Sequence, residues 1–169
     1  MSSKRNARNG GFSLIELIIV VVIIGIIAAI AIPKMSRGAR NAGANTLKMD
    51  LSVLRNAIEL YAAEHDGKYP SAEIANELTQ YSNFTGTVTS ATKNTGNGVV
   101  YGPYLNDIPS MPVGSKKGTT GIYFTDTGGE LPPQGAAPQG WFWNGTDQVL
   151  KANLPPTDLD DDGIPYNSY

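Results

Sequence analysis

From Phe12 to Ile32 the chain is one apolar run, interrupted by a single charge at Glu16. Its 21 residues, at about 1.5 Å of rise each, make a helix of roughly 30 Å, the thickness of a bilayer's hydrocarbon core. Past Pro33 the pattern becomes one-sided. Leu47, Leu51, Leu54, Ile58 and Tyr61 recur at spacings of four and three, while Lys48, Asp50, Arg55, Glu59 and Glu64 lie off that stripe. Such a period predicts an amphipathic helix that buries one face. Asp66-Gly67 follows, and Gly67 can cap the helix end. Together the two stretches predict a single long helix from Phe12 to that stop. Gly25 and Pro33 are the positions where it is weakest, since glycine costs a helix about 1 kcal/mol and proline removes a backbone hydrogen bond.

Most of the 19 glycines and 11 prolines come after residue 66, so short strands joined by turns are expected there. Ser71 can N-cap a short second helix with Glu73 in its first turn and Ile74 and Leu78 facing inward. Residues 82–98 are rich in Thr, Asn, Gly and Ser and read as an exposed loop. A strand is expected over 121–125. Trp141-Phe142-Trp143 and 148–152 flank Asn144-Gly145-Thr146-Asp147, a hairpin pattern with a four-residue loop. The aromatic residues of that hairpin suit packing of a sheet against the helix. The fold class is therefore α+β: a long N-terminal helix packed on a small C-terminal antiparallel sheet. Its segments are a basic leader (1–11), an apolar helix (12–33), an amphipathic helix (34–66) and a globular head (67–169).

Composition narrows the function. The formal net charge is −2, which gives no reason to expect a nucleic-acid partner. There is no cysteine, so a head outside the cytoplasm must hold without disulfides. The single histidine, His65, lies beside Asp66 at the helix end and excludes multi-histidine metal sites. No nucleophile elbow and no phosphate-binding glycine loop occurs. The chain reads as a structural protein and not as an enzyme.

Charge also separates the leader from the body. Lys4, Arg5 and Arg8 lie in the first eleven residues with no acid; without them the chain keeps ten basic against fifteen acidic residues. The apolar run is flanked by basic residues on both sides, with Lys34, Arg37 and Arg40 after it, so charge does not set its orientation. A secretory signal peptide is the rival interpretation, with an A-x-A pattern at Ala29-Ile30-Ala31. Glu16 speaks against it, because a carboxylate in hydrocarbon costs about 2–3 kcal/mol and a discarded segment has no use for it. If the chain were cut after Gly11, Phe12 would carry an ammonium group four residues before Glu16, on the same helix face. Pairing within or between chains would offset the burial of both charges.

Gly10-Gly11-Phe12-Ser13-Leu14-Ile15-Glu16-Leu17 resembles the class III leader of type IV pilins and type II secretion pseudopilins. The resemblance implies cleavage after Gly11 by a prepilin peptidase that also N-methylates Phe12, and pairing of Glu16 with the amine of an adjacent copy. It implies that the leader is cytoplasmic and the head periplasmic, and that Gly25 and Pro33 mark a stretch that loses helical form on assembly. Partners would be further copies of the chain, membrane lipid, an inner-membrane assembly platform and minor pseudopilins. Tyr101-Gly102-Pro103-Tyr104-Leu105, followed by Ile108-Pro109 and Met111-Pro112, resembles the segment before the sheet in major pseudopilins, which favours a secretion filament over a type IV pilus. A soluble secreted calcium-binding module is the rival from another class.

That rival draws on the C-terminal segment. Asp158-Leu159-Asp160-Asp161-Asp162-Gly163 has the D-x-D-x-D-G start of an EF-type calcium loop, so Asp158, Asp160 and Asp162 are candidate calcium ligands. The twelfth position is Tyr169, which supplies no bidentate carboxylate.

Overall fold

The computed structural model describes residues 12–129 and 137–169, without the side chains of 32–40. The leader 1–11, with Gly11, lies outside the described residues. The chain forms two compact units, Met1–Ala39 and Arg40–Tyr169.

One helix, α1, runs from Leu14 to Glu64. It is helical through both Gly25 and Pro33, the two weak positions. In the first unit every apolar side chain from Leu14 to Ile27 is exposed, because no described residue covers it. A Cβ at Gly25 would meet nothing within 4 Å, so the glycine serves no packing need inside one copy.

The second unit carries the core. Leu47, Leu51, Leu54, Ile58 and Tyr61 are all buried and join one cluster with Trp141, Trp143, Leu150 and Leu154. Gly43 fits the same packing: a Cβ there would lie 2.7 Å from Val113 Cγ1. The helix ends at the expected place. Asp66 takes a left-handed φ of 59°, and Gly67 N–H donates to the Ala62 carbonyl at 2.9 Å, the long closing bond of a Schellman turn.

The second helix, α2, spans Ile74–Thr79 and buries Ile74 and Leu78 as the pattern requires. Ser71 stands three residues ahead of the helix's first residue, and its Oγ accepts from Glu73 N–H at 3.3 Å. Glu77 turns back, accepting from Ser71 N–H at 2.8 Å and Ser71 Oγ at 3.0 Å, and Tyr61 Oη lies 3.4 Å from its Oε1. The helix therefore starts later than the sequence suggested. The loop over 82–98 contains a small antiparallel ladder of β1 (Tyr81–Ser82) and β2 (Thr89–Ser90), then a single 3₁₀ turn at Thr95–Asn97. After it, Tyr104 and Leu105 both donate their N–H to the Leu78 carbonyl at 2.9 Å, docking the Gly-Pro-Tyr-Leu segment on the end of α2.

The main sheet has three strands in the order β3 (Ile122–Thr125), β4 (Trp141–Asn144) and β5 (Val149–Ala152). The hairpin β4–β5 is antiparallel, with Trp141 opposite Ala152 and Asn144 opposite Val149. Strand β3 runs parallel to β4, so the sheet is mixed and not antiparallel throughout. A parallel pair needs a crossover of a dozen or more residues, and 126–140 supplies that length. The tryptophans pack inward and donate their ring N–H to main chain, Trp141 to Pro109 at 2.8 Å and Trp143 to Pro70 at 3.0 Å. They are core anchors and not an exposed aromatic platform.

Candidate assembly site

The start of α1 is built by four residues. Ser13 stands just outside the helix, and its Oγ accepts from Ile15 N–H at 3.4 Å. Glu16 reaches back, and its Oε2 accepts from Ser13 N–H at 2.8 Å. This is a capping box, in which a Ser-x-x-Glu spacing lets two residues satisfy each other's free backbone donors. Phe12 and Leu17 take the positions that flank such a box. The carboxylate also sits in the first helical turn, where the helix dipole favours negative charge. Sequence reasoning gave Glu16 an amine partner and missed the local one, although Ser13-x-x-Glu16 is the pattern that announces it. Oε1 accepts from no described residue, so one oxygen remains available to a cation.

Around this carboxylate everything is apolar and uncovered. Phe12 is 89% exposed, and Leu14–Ala31 is one helix stretch long and apolar enough to cross a membrane. Apart from Glu16, this exposed stretch is hydrocarbon surface of the kind that lipid or other apolar helices cover.

The second half of α1 presents a further uncovered strip. Met49 is 68% exposed, and Val53 and Leu60 are about half exposed. At helical spacing these three fall on one face, away from the buried stripe. Lys48, Arg55 and Glu59 bound that face on one side, and Asp50 and Glu64 on the other.

The acidic segment is organised differently from a calcium loop. Asp158 Oδ2 accepts from Ser115 N–H at 2.6 Å and Ser115 Oγ at 2.8 Å. Asp160 Oδ1 accepts from the N–H groups of Asp162 (2.9 Å) and Ile164 (2.8 Å), and its Oδ2 accepts from Tyr169 Oη. The Tyr169 bond and these amides hold the Asp160 carboxyl below its usual range, and the same bond pushes the Tyr169 phenol up to about 12. Tyr169 in turn lies against α1: its carbonyl accepts from Arg55 at 2.7 Å, and Lys48 Nζ stands 4.3 Å from its ring centre. Arg55 also donates to the Leu150 carbonyl of β5 at 2.9 Å. Two of the three candidate ligands are thus spent on the chain itself. Among the described residues no group of three acidic, histidine or cysteine side chains gathers to hold a metal.

His65 is fully buried at the end of α1, stacked on Tyr61 with ring centres 3.8 Å apart. Its Nδ1 lies 2.7 Å from the Tyr61 carbonyl and its Nε2 lies 2.9 Å from Ser82 Oγ. It ties the helix end to β1.

Comparison with known proteins agrees with this picture at the N-terminus. The family described as "Prokaryotic N-terminal methylation motif" matches residues 6–32. The type IV major pilin protein PilA of Myxococcus xanthus is 43% identical over 76 residues, which are 45% of this chain. The match spans about a third of that curated relative's length. No solved structure matches. At residues 6–32 the chain is thus similar to proteins that carry the prokaryotic N-terminal methylation motif.

Proposed function

We propose that the chain is a filament subunit, made as an inner-membrane precursor and assembled by side-by-side packing of its N-terminal helices. The observation that carries this is Glu16, the one carboxylate in an otherwise apolar and wholly uncovered helix stretch. After cleavage behind Gly11 by a prepilin peptidase, Phe12 would present a methylated ammonium group. The free Oε1 of Glu16 would meet the amine of an adjacent copy, and its Oε2 would stay on Ser13. The Met49, Val53 and Leu60 strip of the second unit is a further uncovered surface that suits packing against another copy. In this reading the leader is cytoplasmic, the head is periplasmic, and helix weakness at Gly25 and Pro33 lets the subunit lengthen. The role is structural and not catalytic.

Of the two kinds of filament, we take the short secretion pseudopilus, working with an assembly platform and minor pseudopilins to drive protein export. The docked Gly-Pro-Tyr-Leu segment and the cysteine-free head support it. The match to a type IV major pilin supports the second reading, a surface pilus. Deleting the gene and measuring both secreted protein and surface fibres separates the two. Glu16→Ala tests the shared claim: the leader should still be removed, while filaments fall below detection. Filaments at normal abundance would overturn charge pairing as the assembly contact.

A further inference from the structure

Two Asn-Gly pairs in the described residues face opposite fates. Asn144-Gly145 is locked. Asn144 is 1% exposed, and its Nδ2 donates to the Thr127 carbonyl and to Asp147 Oδ2, each at 2.9 Å. Its Oδ1 accepts from Thr146 and Asp147 N–H, each at 3.1 Å. The Gly145 N–H is committed to the Thr125 carbonyl at 2.9 Å. Asn97-Gly98 is held by almost nothing. Asn97 is exposed, and its side chain makes no hydrogen bond among the described residues. The 3₁₀ turn it ends is closed by two long bonds: Asn97 N–H to Asn94 Oδ1, and Gly98 N–H to the Thr95 carbonyl, both 3.3 Å. The paired Asn94 and Val99 hold the turn at its base with two bonds of 2.9 Å. The tip can therefore open while the fold stays intact, the low-energy end of local unfolding. Gly98 has no side chain to hinder approach, and space beside its Cα is open.

We infer that Asn97 is a site of spontaneous covalent modification by its own backbone. The Gly98 nitrogen loses its proton to solvent base and attacks the Asn97 side-chain carbonyl carbon. A C–N bond forms, the carboxamide C–N bond breaks, and the nitrogen leaves as ammonia, giving a cyclic succinimide. Water then adds to either ring carbonyl. One opening yields aspartate and the other isoaspartate, in which the main chain runs through the former side chain. No oxidation state changes, and water is the only co-reactant. The product puts a new carboxylate on the exposed loop. The isoaspartate form also lengthens the backbone between Asn94 and Val99, whose pairing depends on register. A long-lived subunit would carry the record of its age at this residue.

The full-length protein, incubated at mildly alkaline pH in heavy-oxygen water, tests this by peptide mass analysis. Cleavage after Lys93 and Lys116 releases Asn97, and cleavage after Lys117 and Lys151 releases Asn144. Conversion at Asn97, with one heavy oxygen incorporated and isoaspartate detected, should exceed that at Asn144 by at least ~10-fold, the ratio for about 1.4 kcal/mol between their opening energies. Unfolding in denaturant should bring the two rates together. Equal rates in the folded protein, or faster conversion at Asn144, would overturn the inference. So would conversion at Asn97 without heavy oxygen, since that excludes hydrolysis during the incubation. Asn97→Gln should abolish the signal in its peptide; a signal that persists there, at Asn94 or Asn106, would assign the reaction to another residue.

Discussion

The two halves of α1 answer the same problem in different ways. In the second half, one stripe of the helix is apolar and the chain covers it with its own sheet. In the first half, the helix is apolar on every face except at Glu16, and the described residues leave it bare from Leu14 to Ile27. The first kind of surface folds a domain, whereas the second needs lipid or other copies. In the proposed filament one helix would belong to two structures at once, one intramolecular and one intermolecular, with its pattern telling which part serves which.

This contrast can be broken most sharply in the core. Trp143→Ala removes a buried ring and its bond to Pro70, and should cost the head about 3–5 kcal/mol in denaturant unfolding. Leu54→Ala, on the buried stripe, should cost about 2–5 kcal/mol in the same assay. Ile23→Ala removes as much hydrocarbon from the first half, yet head unfolding should shift by less than about 0.5 kcal/mol. Its effect should fall on filament yield. Equal destabilisation of the head by Ile23→Ala and Leu54→Ala would erase the distinction between the halves.

Smaller effects concern charge. Chelator added to the purified protein should leave the head's melting temperature unchanged, because Asp158 and Asp160 are held by Ser115, Tyr169 and local amides. A fall in melting temperature would restore calcium to the tail. The Asp160 carboxyl lies below its ordinary value of about 3.9 in the folded chain. Its contribution is therefore present above that value and disappears as pH falls through the depressed one. Asp160→Asn should lower stability at neutral pH and narrow the further loss on the acid side, so that the two proteins converge in acid. Glu77 has the opposite sign: burial raises its pKa, so protonation on acidification favours the folded state and partly offsets the loss at Asp160. Acid titration of wild type and Asp160→Asn, followed by circular dichroism, checks the direction.

How much of this was legible in the residues follows from the range of each interaction. The stripe from Leu47 to Tyr61, the stop at Asp66-Gly67 and the β4–β5 hairpin are local patterns, and each could be read directly. The direction of β3 could not, because pairing across residues 126–140 depends on the route of a crossover and not on alternation within the strand. Nothing in the local spacing around Glu77 announces its role. Its bonds to Ser71 and Tyr61 depend on how α2 returns to α1. The grip of Arg55 and Lys48 on Tyr169 joins residues more than a hundred positions apart, beyond the reach of any spacing rule. At the start of α1 the motif drew attention to Glu16 and hid its local hydrogen bond. The amine partner drew notice, and the Ser13 cap three residues away did not.

Intact and N-terminal peptide mass of the protein recovered from membranes tests the filament assignment most directly. The mature chain should begin at Phe12 carrying one added methyl group, with residues 1–11 absent. A chain beginning at Ile32, or one retaining the basic leader in assembled material, would contradict the pairing of Glu16 with a newly freed amine.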